Sequence, residues 1–224
     1  MTRMAGLFSA WAMLLISIMV VITLPCNAAQ PLDDETAKIV SGIEATYAQK
    51  SFSADFEQTS RLTALDVTET AKGKAWFSHP GKMKWAYQSS DNHEIITNGT
   101  DLWIYRPEEN QVMTGDAAPF FQSGSGGAFL ADIRKIREAF TIEPDKSGEN
   151  VAQLVLTPKK ETPELAKVRI MVTLPGYEIP VVETENIYGD TTKFIFTNIR
   201  FVPFDEQIFE FTPPPGTEII EMDR

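Results

Sequence analysis

Residues 74–105 read KAWFSHPGKMKWAYQSSDNHEIITNGTDLWIY, and the fold can be argued outward from them. Lys74–Phe77 and Lys82–Gln88 flank His79-Pro80-Gly81, where adjacent Pro and Gly favour a turn. In the second run Met83, Trp85 and Tyr87 fall on one side and Lys82, Lys84 and Ala86 on the other. That is the two-residue period of a strand with one buried face. Ile95–Thr97 and Leu102–Tyr105 bracket Asn98-Gly99, the strongest short hairpin signal. Asn98-Gly99-Thr100 also spells a glycosylation sequon, but the turn accounts for it without a sugar. The stretch is predicted to form successive antiparallel strands.

The same periods extend in both directions. Upstream, Ile39, Val40, Ile43 and Tyr47 make one apolar stripe behind Asp33, Asp34 and Glu35, which predicts an amphipathic helix over 33–49. From Phe52 the period drops to two, with Phe52, Ala54 and Phe56 alternating with polar residues. Downstream the pattern breaks at Gly115, and residues 119–127 read PFFQSGSGG. Phe129, Leu130, Ile133, Ile136 and Phe140 then recur at helical spacing behind Gly124–Gly127, a natural hinge. Strands are predicted again at Val151–Thr157, Val168–Leu174, Val181–Tyr188, Lys193–Phe201 and Ile208–Phe211, and Pro213-Pro214-Pro215-Gly216 cannot extend a ladder. About ten antiparallel strands with few helices would build one large sheet that curls or incompletely closes into a barrel. The helices are too few to cover both faces and are expected to plug or lid the concave one. The class is α+β, mainly β.

Composition excludes several functions. The 224 residues are 43% apolar and 10% aromatic, enough for a real core. Lys+Arg 20 against Asp+Glu 31 gives a net charge of −11, which opposes binding to nucleic acid or to an anionic membrane. One Cys and two His remove most metal sites, every Cys-framework domain and most His-dependent chemistry. A hydrolytic base would have to be His79 or His93, and no Gly-x-Ser-x-Gly elbow accompanies them. Neighbouring carboxylates such as Glu108-Glu109 and Asp205-Glu206 would point to opposite strand faces. Gly124–Gly127 lacks the Gly-Lys-Ser/Thr ending of a phosphate loop. No catalytic residue, cofactor or metal is expected.

Arg3, the apolar run Leu7–Leu24 and Pro25-Cys26-Asn27-Ala28-Ala29 read as a signal peptide over 1–28. Cleavage after Ala29 and an uncut membrane anchor are the other readings of that segment. Pro25 stands where a lipoprotein signal needs a small residue before its Cys, so acylation of Cys26 is disfavoured. The expected mature product is one domain over 29–224. Its strand aromatics Trp76, Phe77, Trp85, Tyr87, Trp103 and Tyr105, with Met83, either fill a core or line an apolar cavity inside the curled sheet. Phe120, Phe121, Phe129, Leu130, Ile133 and Ile136 would then form its movable lid.

Four motifs in order carry a family resemblance: FSADFEQ at 52–58, GKAWFSHPGKMKWAY at 73–87, NGTDLWIY at 98–105 and FEFTPPPG at 209–216. Together they resemble the LolA-type periplasmic carriers of outer-membrane lipoproteins, over about residues 33–222. The resemblance implies an incompletely closed antiparallel barrel with helices lidding a hydrophobic cavity for acyl chains. Phe52, Phe56, Trp76, Met83, Trp85, Tyr87, Trp103 and Tyr105 would line it. It further implies a monomer in the periplasm, loaded with acylated lipoprotein by an inner-membrane lipoprotein-releasing transporter and unloaded to an outer-membrane lipoprotein receptor. The family usually has Arg before the Pro of the second motif, bonding to the lid; here His79 takes that latch position. A lipid-anchored receptor or envelope-stress sensor of the same fold, which would need Cys26 retained and acylated, is the nearest alternative. A secreted hydrolase using His79 or His93 is the second.

Overall fold

The computed structural model describes residues 32–48, 50–88, 92–122, 130–133 and 136–222. The leader, Phe129 and the Gly124–Gly127 hinge lie outside the described residues.

Helix α1 (Asp34–Tyr47) begins where expected, because the Asp33 carboxylate accepts from the Thr36 amide at 3.0 Å and satisfies one of its orphan donors. Six strands follow: β1 (Phe52–Leu62), β2 (Val67–Ser78), β3 (Lys82–Tyr87), β4 (Glu94–Thr97), β5 (Asp101–Arg106) and β6 (Gln111–Asp116). At the β4–β5 turn the Asn98 side chain accepts from the amides of Thr100 and Asp101, while Gly99 alone takes a positive φ. Short helices α2 (Ala117–Gln122) and α3 (Ile136–Ala139) enclose a 3₁₀ turn at 130–133. Then come β7 (Phe140–Ser147), β8 (Val151–Pro158), β9 (Lys167–Thr173), β10 (Val181–Glu185), β11 (Thr191–Phe201) and, last, β12 (Glu218–Glu221).

These strands form one curled, open sheet in the order β12-β6-β5-β4-β3-β2-β1-β11-β10-β9-β8-β7. The long strands β1, β2 and β11 hold its middle, with Phe52 opposite both Phe77 and Phe201. The mainly β class and the incompletely closed antiparallel architecture are as predicted, with one exception in direction. β12 runs parallel to β6, so the triple proline ends one segment without ending the sheet.

Three local expectations are corrected. Ile208–Phe211 is no strand: Asp205 accepts from the Gln207 amide at 3.0 Å and caps a 3₁₀ turn at Glu206–Phe209, which buries Phe209 completely. Phe140 opens β7 rather than closing a helix. The helical spacing after residue 129 is realised as a 3₁₀ turn and the one-turn α3.

Candidate functional site

Register decides which aromatic side chains meet. Across β1, β2 and β3 the pairs Phe52–Phe77, Ala54–Ala75, Phe56–Gly73, Phe77–Met83, Ala75–Trp85 and Gly73–Tyr87 put all these residues on one face. Beyond β1 the face continues through Phe194 and Phe196, then Val182, Ile170 and Leu154. The rings interlock: Phe52 stacks on Phe77 with centroids 4.5 Å apart, and Trp85 lies 4.9 Å from Phe56, 5.4 Å from Phe77 and 5.2 Å from Phe194. Phe56, Met83 and Trp85 are buried, and Tyr87 is half-buried at the margin. Five of the predicted lining residues, Phe52, Phe56, Met83, Trp85 and Tyr87, therefore share one inner face.

The expectation that Trp76, Trp103 and Tyr105 join them is corrected. Trp76 alternates with Ala75 and Phe77 and lies on the outer face, with the Lys74 ammonium 5.9 Å from its ring centre. Trp103 pairs with Ile96, and Tyr105 with Glu94, whose side chains are out of phase with the inner Ile95 and Thr97. The segment after β11 returns over this outer face. Phe211 packs 5.0 Å from Tyr105 and 6.5 Å from Trp103. Glu206 ties the segment down by accepting from Ser78 Oγ and Lys82 Nζ. The lone sequence cannot assign these rings, because Trp76 and Phe77 are adjacent and either parity gives an aromatic inside.

The inner face is covered by α1, through Ile39, Val40, Ile43 and Tyr47, and by Leu130, Ile133 and Ile136 of the predicted lid. All are buried in the same cluster, with Phe120 and Phe121 of α2 half-buried against it. Polar bonds attach this cover at both ends of the described turn and helix. The Gly81 amide donates to the Ala131 carbonyl at 2.9 Å, from the turn that also holds half-buried His79 and a cis bond before Pro80. Arg137 donates to Glu44 Oε1 at 2.7 Å, to Ser41 Oγ at 2.9 Å and to the Ala37 carbonyl at 3.3 Å, joining α3 to α1. Lys159 Nζ donates to the Arg137 carbonyl at 2.7 Å. Phe194 and Phe196 share this face, and Ile43 and Tyr47 its cover; sequence reasoning places Ile43 and Tyr47 on a helix stripe only and passes over the two phenylalanines. The alternation of Phe194 and Phe196 in β11 was the available signal.

Electrostatics on this face are those of a dry interior. Burial pushes the Tyr47 phenol well above the ordinary tyrosine range, although its oxygen accepts from the Ile179 amide at 2.8 Å. Burial does the same to Tyr87, whose hydroxyl donates to Gln58 Oε1 at 2.8 Å and whose ring stacks on His93 at 4.1 Å. Among the described residues no three His, Cys, Asp or Glu side chains gather as metal ligands would. The inner face offers apolar contact and shape.

Comparison with known proteins points the same way. Residues 48–212 match the family described as outer membrane lipoprotein carrier protein LolA. An outer-membrane lipoprotein carrier protein of Nitrosospira multiformis is 30% identical over 172 residues, covering 75% of this chain and 80% of that one. Its counterpart in Methylococcus capsulatus is 25% identical over 173 residues, covering 77% and 82%. A solved structure, an uncharacterized conserved protein from Thermus thermophilus, superposes with a TM-score of 0.56 at 8% identity. It covers 84% of this chain and 99% of its own, a likeness of fold.

Proposed function

The chain belongs to the LolA family of outer-membrane lipoprotein carrier proteins, and from that premise we propose that it is a soluble periplasmic chaperone that carries acylated lipoproteins from the inner to the outer membrane. In this reading residues 1–28 are a cleaved signal peptide, 29–224 form the monomeric carrier domain, and no covalent chemistry is done. Cargo arrives from a lipoprotein-releasing transporter and leaves to an outer-membrane receptor.

One observation carries the proposal: a continuous aromatic and aliphatic sheet face covered by α1 and by the short helical turns at 130–133 and Ile136–Ala139. Such a cover can lift as a unit and expose Phe52, Phe56, Met83 and Trp85 to acyl chains. Energetics favour a cover that resists. Roughly 45 methylenes in three acyl chains, at about 0.8 kcal/mol each, would give about 36 kcal/mol on full burial. Noncovalent affinity ends near about 18–21 kcal/mol, and a carrier must also let go. Breaking the contacts of Leu130, Ile133 and Ile136 with the sheet opposes loading and keeps release attainable. His79, in the turn that bonds Ala131 through Gly81, is assigned as the side-chain part of the latch.

The test replaces Phe56 or Trp85 by Leu, which keeps the face apolar but changes its shape. Cargo retention should fall while the variants stay folded. Unchanged retention in both would remove this face from the binding site.

A further inference from the structure

The two ends of the sheet are built differently. At one end β7 carries Pro144, Asp145 and Lys146 and a register shift between Pro144 and Ser147, devices that prevent another strand from pairing. At the other end β12 reads Glu-Ile-Ile-Glu, and Ile219 is 58% exposed. Its bonds to β6 run from the Glu218 amide to the Asn110 carbonyl and from the Met222 amide to the Thr114 carbonyl. By alternation, the amides and carbonyls of Ile219 and Glu221 face away from β6, toward the open edge.

Beside that edge, on the outer face, lies a pocket of about 320 Å³. Trp103, Pro213 and Ile219 provide its apolar walls, and Asp101, Asp116 and Glu221 its charge; among the described residues no Lys or Arg lines it. Asp101 and Asp116 stand directly opposite each other across β5 and β6, a placement that like charges disfavour. None of the three carboxylates has a cationic partner among the described residues.

We propose that the open edge of β12 receives an extended, basic segment of a partner protein, adding a strand to the sheet and directing Lys or Arg side chains at Glu221, Asp116 and Asp101. The edge offers a row of backbone donors and acceptors, which an extended chain satisfies and a helix does not. The pocket supplies an aromatic wall for the aliphatic stem and carboxylates for its charged head. A second copy of this chain is a poor occupant, since Glu218 and Glu221 would meet their own counterparts in a molecule of net charge −11. The inference does not rest on the carrier reading.

The probe is an acetylated, amidated octapeptide of alternating Lys and Val, titrated into the mature protein and followed through backbone amide resonances and hydrogen exchange. Saturable binding that weakens with salt is expected, with new protection at the Ile219 and Glu221 amides. A Glu–Val peptide should not bind. Glu221→Gln combined with Asp116→Asn should weaken binding about tenfold. Ile219→Pro removes an amide that faces away from β6 and should abolish pairing; Glu221→Lys serves as a second block should the proline disturb β12. Absent saturation, equal binding of the acidic peptide, or shifts confined to residues away from β12 and the pocket would overturn the proposal. Cargo retention, measured in parallel, should be unchanged in these variants. Its absence in the unmodified protein would count against the carrier reading alone.

Discussion

Gly73 shows how single residues fix the inner face. A Cβ there would collide with the Ala86 carbonyl oxygen and stand 2.9 Å from the Phe56 ring, so the strand pairing and the ring position both depend on its absence. Gly73→Ala should cost about 1–3 kcal/mol by overpacking, read as a lower urea midpoint. Tyr47 and Tyr87 make a prediction about pH. Burial raises both phenols, so above the ordinary tyrosine value of about 10 the unfolded chain has lost protons that the folded one retains. Their contribution to stability should be level below about pH 10 and fall as pH rises beyond it. Tyr87→Phe should flatten part of that fall in urea titrations between about pH 9 and 11; an unchanged slope would remove Tyr87 as a cause. At this scale the sequence was only half legible. The parity of Met83, Trp85 and Tyr87 within one strand was plain, but the phase of Trp103 and Tyr105 depends on register across β3, β4 and β5, which no local pattern encodes.

Among the elements, the cover and the returning segment invite opposite tests. Arg137→Ala removes the bonds that join α3 to α1. These side chains are 37% and 28% exposed, so the Arg137–Glu44 pair contributes at most about 1 kcal/mol. The expected signature is faster amide exchange at 130–133 with little change in global stability, and quicker cargo loading. Exchange unchanged there would mean that the Arg137 bonds do not hold the 130–133 turn in place. Phe209, fully buried on the outer side, should behave differently. Phe209→Ala should cost about 3–5 kcal/mol in unfolding while cargo retention per folded molecule stays constant. Helix α1 and the long strands were legible because each has an unbroken period of 3.6 or 2. The 3₁₀ turn at Glu206–Phe209 was not, because Ile208 and Phe209 resemble a strand fragment and only the Asp205 cap shows otherwise. β12 was hidden by its length of four residues and by its partner, β6, lying about a hundred residues earlier.

For the molecule as a whole, the order of strands lets an aromatic-rich sheet keep those rings out of water, as the proposed carrier requires. The sheet turns its richest apolar face toward its own helices and its charges outward, consistent with a net charge of −11. That a mainly β sheet would curl around few helices was legible from strand count and helix scarcity alone. Which strands end the sheet was not, since that is set by long-range pairing. The central claim is that this inner face exchanges its own helices for acyl chains. It is tested most directly by the native mass of the protein purified after coexpression with an outer-membrane lipoprotein, in acylated form and with the acylated cysteine replaced by Ser. The account predicts a one-to-one complex with the acylated lipoprotein and bare carrier with the other. Bare carrier in both cases, or equal binding of the unacylated form, would contradict it.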